Sequence, residues 1–340
     1  MQLLPKILSG IFALLVLSAC KKEAPEITAS NDPFPIPAGF PKIEFPDDNQ
    51  FTIDRWTLGR KLFYEKALSL NNTVSCGSCH KPELAFSDNV ARSLGDNGTV
   101  GRGNAPTLSN VAYHPYFTRA GGVPTLEMQI LVPIQEHDEF NTNIVDIAER
   151  LKQMPEYVEA AQNCYNREMD PFVITRAIAT FERSLISGNS RYDAYIQKGD
   201  FDALNKQEKR GLQLFLSDKT NCSKCHTGFD FTNYAFENNG LYTVYADSGR
   251  FRVTGIETDR AKFKVPSLRN VELTAPYFHD GSTQTLESVL EHYNFGGVAH
   301  PNKSEFVKPL GLTQEEKDDL VAFLKSLTDA AFAGNSEFRP

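Results

Sequence analysis

Cys76-Gly77-Ser78-Cys79-His80 and Cys222-Ser223-Lys224-Cys225-His226 are two copies of one pattern, C-x-x-C-H. The pattern predicts two covalently attached c-type haems. In each, two thiols form thioethers to the porphyrin vinyl groups, and the His directly after the second anchor reaches the iron from the proximal side. Cys76, Cys79, Cys222 and Cys225 are the expected anchors; His80 and His226 are the expected axial ligands. Pairs of this spacing also build four-cysteine zinc sites, redox dithiols and short-loop disulfides. None of these needs a His directly after the second Cys, and here it occurs twice. Cys164 falls in a helix-like segment, Tyr157 to Tyr165, and reads as an inert thiol.

The sequence around the two motifs repeats. Gly59 to Phe63 and Gly211 to Phe215 share Gly-x-x-Leu-Phe ahead of each C-x-x-C-H. Beyond it, Pro106-Thr107-Leu108-Ser109-Asn110 matches Pro266-Ser267-Leu268-Arg269-Asn270. Pro115-Tyr116-Phe117 is paired with Pro276-Tyr277-Phe278, and Thr125-Leu126-Glu127 with Thr285-Leu286-Glu287. The span from the first Pro to the Thr is 19 residues in both halves. The expected fold is therefore mainly α: two related cytochrome c-like domains, 47–198 and 199–335, each with one covalently attached haem. Apolar residues recur at helical spacing over Ile53 to Ala67, Ile144 to Leu151, Phe172 to Ile186 and Leu320 to Leu327. Asp170-Pro171 is a helix start and Gly188 a stop. Asn205-x-x-Glu208 and Thr313-x-x-Glu316 have the form of capping boxes. Gly95 to Asn104 and Asn238 to Gly249 read as loops over the haems, and Arg191 to Asp200 as the junction.

The chain has 340 residues, 41% hydrophobic and 23% charged, with 24 Phe and 12 Tyr, so it can bury sizeable cores. Its formal charge is −8, and −9 without the first 20 residues, which hold Lys6 and no acid. An acidic chain with no basic run argues against nucleic acid and suits a basic protein partner or a neutral small substrate. Lys6 followed by the apolar stretch Ile7 to Leu17 is too short to span a bilayer and reads as a signal segment, 1–19. Leu17-Ser18-Ala19-Cys20 resembles a bacterial lipoprotein cleavage box, which implies lipid on Cys20. Residues 20–46, with six Pro, read as a semi-rigid tether reaching roughly 80 Å. The expected location is the periplasm, anchored to the cell envelope.

A haem with two strong axial ligands only carries electrons, whereas an open position binds small molecules. Eight residues after Thr125 stands Pro133; eight after Thr285 stands Tyr293. Pro offers no ligating atom and Tyr offers a phenol oxygen. The four Met (1, 128, 154 and 169) all precede Cys222, so no Met of the second domain can ligate its haem. Tyr293 is the preferred distal ligand there, with His292, His279 and His300 as the other possibilities.

Over about residues 47 to 330 the chain resembles the bacterial di-haem cytochrome c peroxidases and MauG. Beside the two C-x-x-C-H, the resemblance rests on Gly103-Asn104-Ala105-Pro106-Thr107, Leu126-x-x-Gln129-x-x-x-Pro133, Asp138-Glu139-Phe140, Phe181-Glu182-Arg183-Ser184-Leu185 and Leu273 to Gly281. It implies a peroxidatic N-terminal haem domain and an electron-transfer C-terminal one. It also implies that Glu139 and Gln129 serve peroxide chemistry. A base must take a proton from one peroxide oxygen and return it to the departing one, which a carboxylate can do, while the Gln orients the peroxide. His137, two residues from Glu139, is a weaker candidate. The resemblance further implies a calcium ion between the domains, held by the Asn104 side chain and the Thr274 and Pro276 carbonyls.

Two positions depart from the family. Its loop His, which caps the first haem until the second is reduced, falls on Asp96, so the first haem is expected to be open without reductive activation. Its Trp between the haems falls on Thr118, and the one Trp of the chain is Trp56. The leading expectation is reduction of hydrogen peroxide to water with electrons from a small donor such as a cytochrome c. A MauG-like oxidase acting on a protein or organic substrate, and a di-haem electron carrier without turnover, are the alternatives. A homodimer is left open.

Overall fold

A glycine sets the approach of the two helices that found each half. Helix α1 (Ile53–Phe63) starts at Thr52, whose Oγ1 accepts the Arg55 N–H. It crosses α7 (Pro171–Arg183), started by Asp170 capping the Val173 N–H at 2.9 Å with Pro171 at the first position. A Cβ on Gly59 would lie 1.9 Å from the Ala177 carbonyl oxygen. In the second half α9 (Lys206–Leu216) crosses α13 (Gln314–Lys325), and both begin with the expected capping boxes. There a Cβ on Gly211 would lie 2.0 Å from the Asp319 carbonyl oxygen. Phe63 meets Phe181 and Phe215 meets Phe323, each pair at 5.1 Å between ring centroids. The shared Gly-x-x-Leu-Phe is thus a packing device: no side chain on one face, a Phe a turn later.

The computed structural model describes residues 35–340. The signal segment, Cys20 and the first part of the tether lie outside the described residues. The remaining helices of the first half are α2 (Cys76–Cys79), α3 (Leu126–Gln129), α4 (Leu131–Gln135), α5 (Ile144–Leu151) and α6 (Pro155–Tyr165). Then follow α8 (Arg191–Gln197), α10 (Cys222–Cys225), α11 (Phe251–Thr254), α12 (Leu286–Phe295) and α14 (Ala330–Ala333). Short β1 (Phe236–Glu237) and β2 (Phe263–Lys264) pair antiparallel. Among the described residues no helix is long and apolar enough to cross a membrane.

The structure corrects one register of the repeat. Bridges join Phe117 to Val123 and Tyr277 to Thr283, and Thr118 and Phe278 share positive φ. Phe117 therefore corresponds to Tyr277, and Arg119 to His279, without a gap. The pairing of Pro115 with Pro276 is one residue out, because a shared Pro-Tyr-Phe string outweighed the constant 19-residue span. The repeat also extends further than expected. Ser184 and Ser326 end α7 and α13 alike, each Oγ bonding a Phe carbonyl at 2.6 Å (Phe181 and Phe323). Asn110 and Asn270, both fully buried and at positive φ, then receive the returning chains: the Asn110 N–H bonds Leu185 O, and the Asn270 N–H bonds Leu327 O.

Residues 36–340 pack as one unit. The end of the stretch read as tether belongs to it, since the Phe40 ring packs, tilted, against Phe229 at 4.7 Å and Ile43 is buried. Helix α8, read as the junction, packs with the second half: Tyr192 lies against Phe231 and Phe323, and Asp193 pairs bidentately with the buried Arg269. The C-terminus returns to the first half, where Phe332 and Phe338 close over Phe86. Trp56 sits in that core, its Nε1–H donating to Ser184 Oγ.

Candidate functional site

Each C-x-x-C-H folds as a four-residue helix with its His just beyond the end. Gly77 leaves room for Tyr64: a Cβ there would lie 2.3 Å from its ring, which would have to shift. After His80 the chain turns sharply, with Ala85 and Phe86 both at positive φ, and the Phe86 carbonyl comes to 2.7 Å from His80 Nδ1. A carbonyl only accepts, so Nδ1 carries the proton and Nε2 keeps its lone pair for a metal. His226 repeats this on the Phe231 carbonyl at 3.1 Å. Burial holds both imidazoles below their ordinary value, in the neutral form that ligates. The four motif cysteines are unpaired, and burial pushes all four thiols up, Cys225 to about 11. Among the described residues no three or more Cys, His, Asp or Glu converge as a metal cluster, so the two pairs are not halves of one zinc site.

The two halves differ where the sequence placed Pro133 against Tyr293. Thr125 and Thr285 cap equivalent helices, but α12 is continuous while the first half breaks into α3 and α4. Pro133 has no N–H to return to the Gln129 carbonyl, which accounts for the break. Gln129 lies at that break, and its Oε1 is buried without a hydrogen-bond partner.

Glu139 follows on the next loop. It is exposed by area, yet enough protein surrounds it for desolvation to be the first cause of its raised carboxyl. Glu136 and Asp138 raise it further, and Arg102 opposes them. Its charge reaches Cys76 and Cys79, 63 and 60 positions earlier in the chain, which ties it to the first motif. His137 turns away, its Nδ1 2.6 Å from Asn141 Oδ1.

Asp96 works as a clamp. Its carboxylate takes Thr73 Oγ1 at 2.5 Å and the Asn71 N–H at 2.9 Å, while its own N–H bonds Glu139 O at 2.7 Å. One residue thus joins the segment leading into Cys76 to the loop bearing Glu139. The resemblance gives Glu182 no role. It is buried on α7, burial pushes its carboxyl up to about 8 against the pull of Arg183, and its charge acts on Cys76. A carboxylate on the buried side of a largely apolar helix was the available signal.

In the second half, burial raises Tyr293 to about 12, its Asn239 hydrogen bond opposes this, and the charges of Cys222 and Cys225 add to it. The phenol therefore lies near the second motif. The other possibilities are engaged elsewhere. His292 Nε2 is 2.9 Å from Asn239 O, His279 stacks on Phe263 at 4.2 Å, and His300 Nδ1 accepts the Asn302 N–H.

The family model for di-haem cytochrome c peroxidase matches residues 54–201. The methylamine utilization protein MauG of Methylorubrum extorquens is 36% identical over 289 residues, covering 84% of this chain and 81% of its own. The cytochrome c551 peroxidase of Nitrosomonas europaea is 35% identical over 309 residues, covering 89% and 86%. The crystal structure of a MauG-like protein associated with microbial copper homeostasis superposes with a TM-score of 0.85 at 34% identity, covering 89% of this chain and 97% of that one.

The chain belongs to the di-haem cytochrome c peroxidase family. Membership implies two c-type haems, and the residues fit: two free thiols per motif, and two neutral imidazoles each fixed through Nδ1. The family's calcium site does not fit in the same way. Asn104 Nδ2 donates to the Pro276 carbonyl at 2.6 Å, and its Oδ1 takes the Arg119 guanidinium at 2.5 Å. Two of the three oxygens expected to face an ion, Asn104 Oδ1 and Pro276 O, already hold protein donors.

Proposed function

We propose that this di-haem peroxidase reduces hydrogen peroxide to water at the haem of the first half, drawing electrons through the second from a small donor such as a cytochrome c. The observation that supports the reading is that equivalent helices of the two halves differ: one is broken at Pro133, with Gln129 at the break and a raised Glu139 beyond it, and the other is continuous and carries Tyr293. The haem supplies electron transfer to the peroxide. The chain supplies proton handling and position. Glu139, as carboxylate, takes a proton from one peroxide oxygen and hands it to the departing one; desolvation and the Glu136 and Asp138 charges bring its proton affinity towards that task. Gln129 orients the peroxide through its amide. Asp96 fixes the Glu139 loop, which supports activity without prior reduction of the second haem. Tyr293 fills the second distal position, so substrate is excluded there.

Export to the periplasm and lipid attachment at Cys20 complete the reading, supported by Leu17-Ser18-Ala19-Cys20. The test is oxidation of a reduced small cytochrome c by hydrogen peroxide, with low-temperature EPR of the oxidised protein. Turnover with one high-spin and one low-spin centre is expected. Two low-spin centres that consume no peroxide would sink the proposal.

A further inference from the structure

The family's calcium ion would join the two halves through oxygens of Asn104, Thr274 and Pro276. We infer that in this chain the Arg119 guanidinium is the resident cation between the halves and that no calcium is needed there. Arg119 Nη2 donates to the Asn104 carbonyl at 2.6 Å and to Asn104 Oδ1 at 2.5 Å, both in the first half. Nη1 donates to the His279 carbonyl at 3.0 Å, in the second half. Asn104 Nδ2 completes the tie by donating to Pro276 O at 2.6 Å. Carbonyl and amide oxygens converging from loops are what a hard divalent ion takes; here a planar fork of N–H donors takes Asn104 Oδ1 with two neighbouring carbonyls, and the Asn104 amide itself takes Pro276 O.

Two further features show that the place is built for Arg119. Gly103 leaves the room: a Cβ there would lie 2.7 Å from Nη1 and 3.0 Å from His279 O. Arg119 and His279 also occupy equivalent positions in the repeated turn, after Phe117 and Tyr277. One copy of the turn supplies the donor fork and the other supplies the carbonyl, so the tie lies between the two repeats. A guanidinium is a cation at neutral pH, and Arg119 is held here among neutral oxygens. A second positive ion within ligand distance of the same oxygens would meet that charge in a desolvated place.

The test uses the holoprotein purified without chelator, and neither readout depends on turnover. Elemental analysis should find calcium far below one ion per chain, and excess EGTA should leave the thermal unfolding midpoint unchanged. Arg119→Ala removes the fork and frees the oxygens. Its midpoint should fall, and millimolar calcium should raise it by several degrees while leaving the unsubstituted protein unmoved. About one calcium per chain in the unsubstituted protein, or a midpoint lowered by EGTA, overturns the assignment. So does a folded Arg119→Ala protein that ignores calcium. Should Arg119→Ala fail to fold, the metal content and EGTA response of the unsubstituted protein decide alone.

Discussion

Glu127→Gln probes the link that holds α3 to α7 in the first half. Glu127 is buried on α3, two residues before Gln129, and bonds Arg183 of α7 through both oxygens at 2.5 and 3.0 Å. Asn49 adds a third bond at 3.2 Å. Burial alone would raise this carboxyl, but the hydrogen bonds and charge of Arg183 lower it below the ordinary 4.5. The amide keeps the shape and removes the charge, leaving the Arg183 guanidinium buried and unpaired. Breaking one partner of such a pair costs about 3–5 kcal/mol. Unfolding entropy of about 2.1 cal/mol/K per residue over residues 36–340 gives roughly 0.6 kcal/mol/K, so the midpoint should drop by about 5–8 °C. The measurement is urea and thermal unfolding followed by far-UV circular dichroism, with the urea slope unchanged. A carboxyl lowered in the folded state stabilises above its unfolded pKa and ceases to as pH falls through the folded one, so the gap between the proteins should close in acid. Replacing both partners by size-matched apolar residues, Glu127→Leu with Arg183→Met, should recover most of the loss. A loss below about 1 kcal/mol, the worth of an exposed pair, would refute the reasoning.

Glu139→Gln should keep both haems and lower kcat/KM for peroxide by roughly 10²–10⁴-fold, read by steady-state kinetics. Because Glu139 must be ionised to accept a proton and its carboxyl is raised, activity should fall on acidification at a pH above the ordinary 4.5, and Glu136→Gln should move that limb to lower pH. Tyr293→Phe should change the EPR and absorption spectrum of one haem only; an unaltered spectrum removes the ligand. Gly211→Ala places a Cβ 2.0 Å from Asp319 O, so α9 and α13 must separate. It should destabilise by at least the ~1–3 kcal/mol usual for overpacking, measured by urea midpoint.

Chemistry carried by adjacent residues was legible in the sequence. The Asp170-Pro171 helix start and the two capping boxes act over a few residues and stand in the structure as read, and each C-x-x-C-H folds as a short helix ending at its His. Pro133 and Tyr293 could be compared because the repeat spacing is constant. Tertiary structure decided what depends on charges and donors meeting through space. The charge of Glu139 acts on Cys76 and Cys79 because Asp96 ties two distant loops, and no local pattern encodes that. No local pattern marks Arg119; only the fold brings Gly103 and the His279 carbonyl beside it. Local motifs fix bonds within a turn of chain, whereas the packing of two halves fixes which cation lies between them.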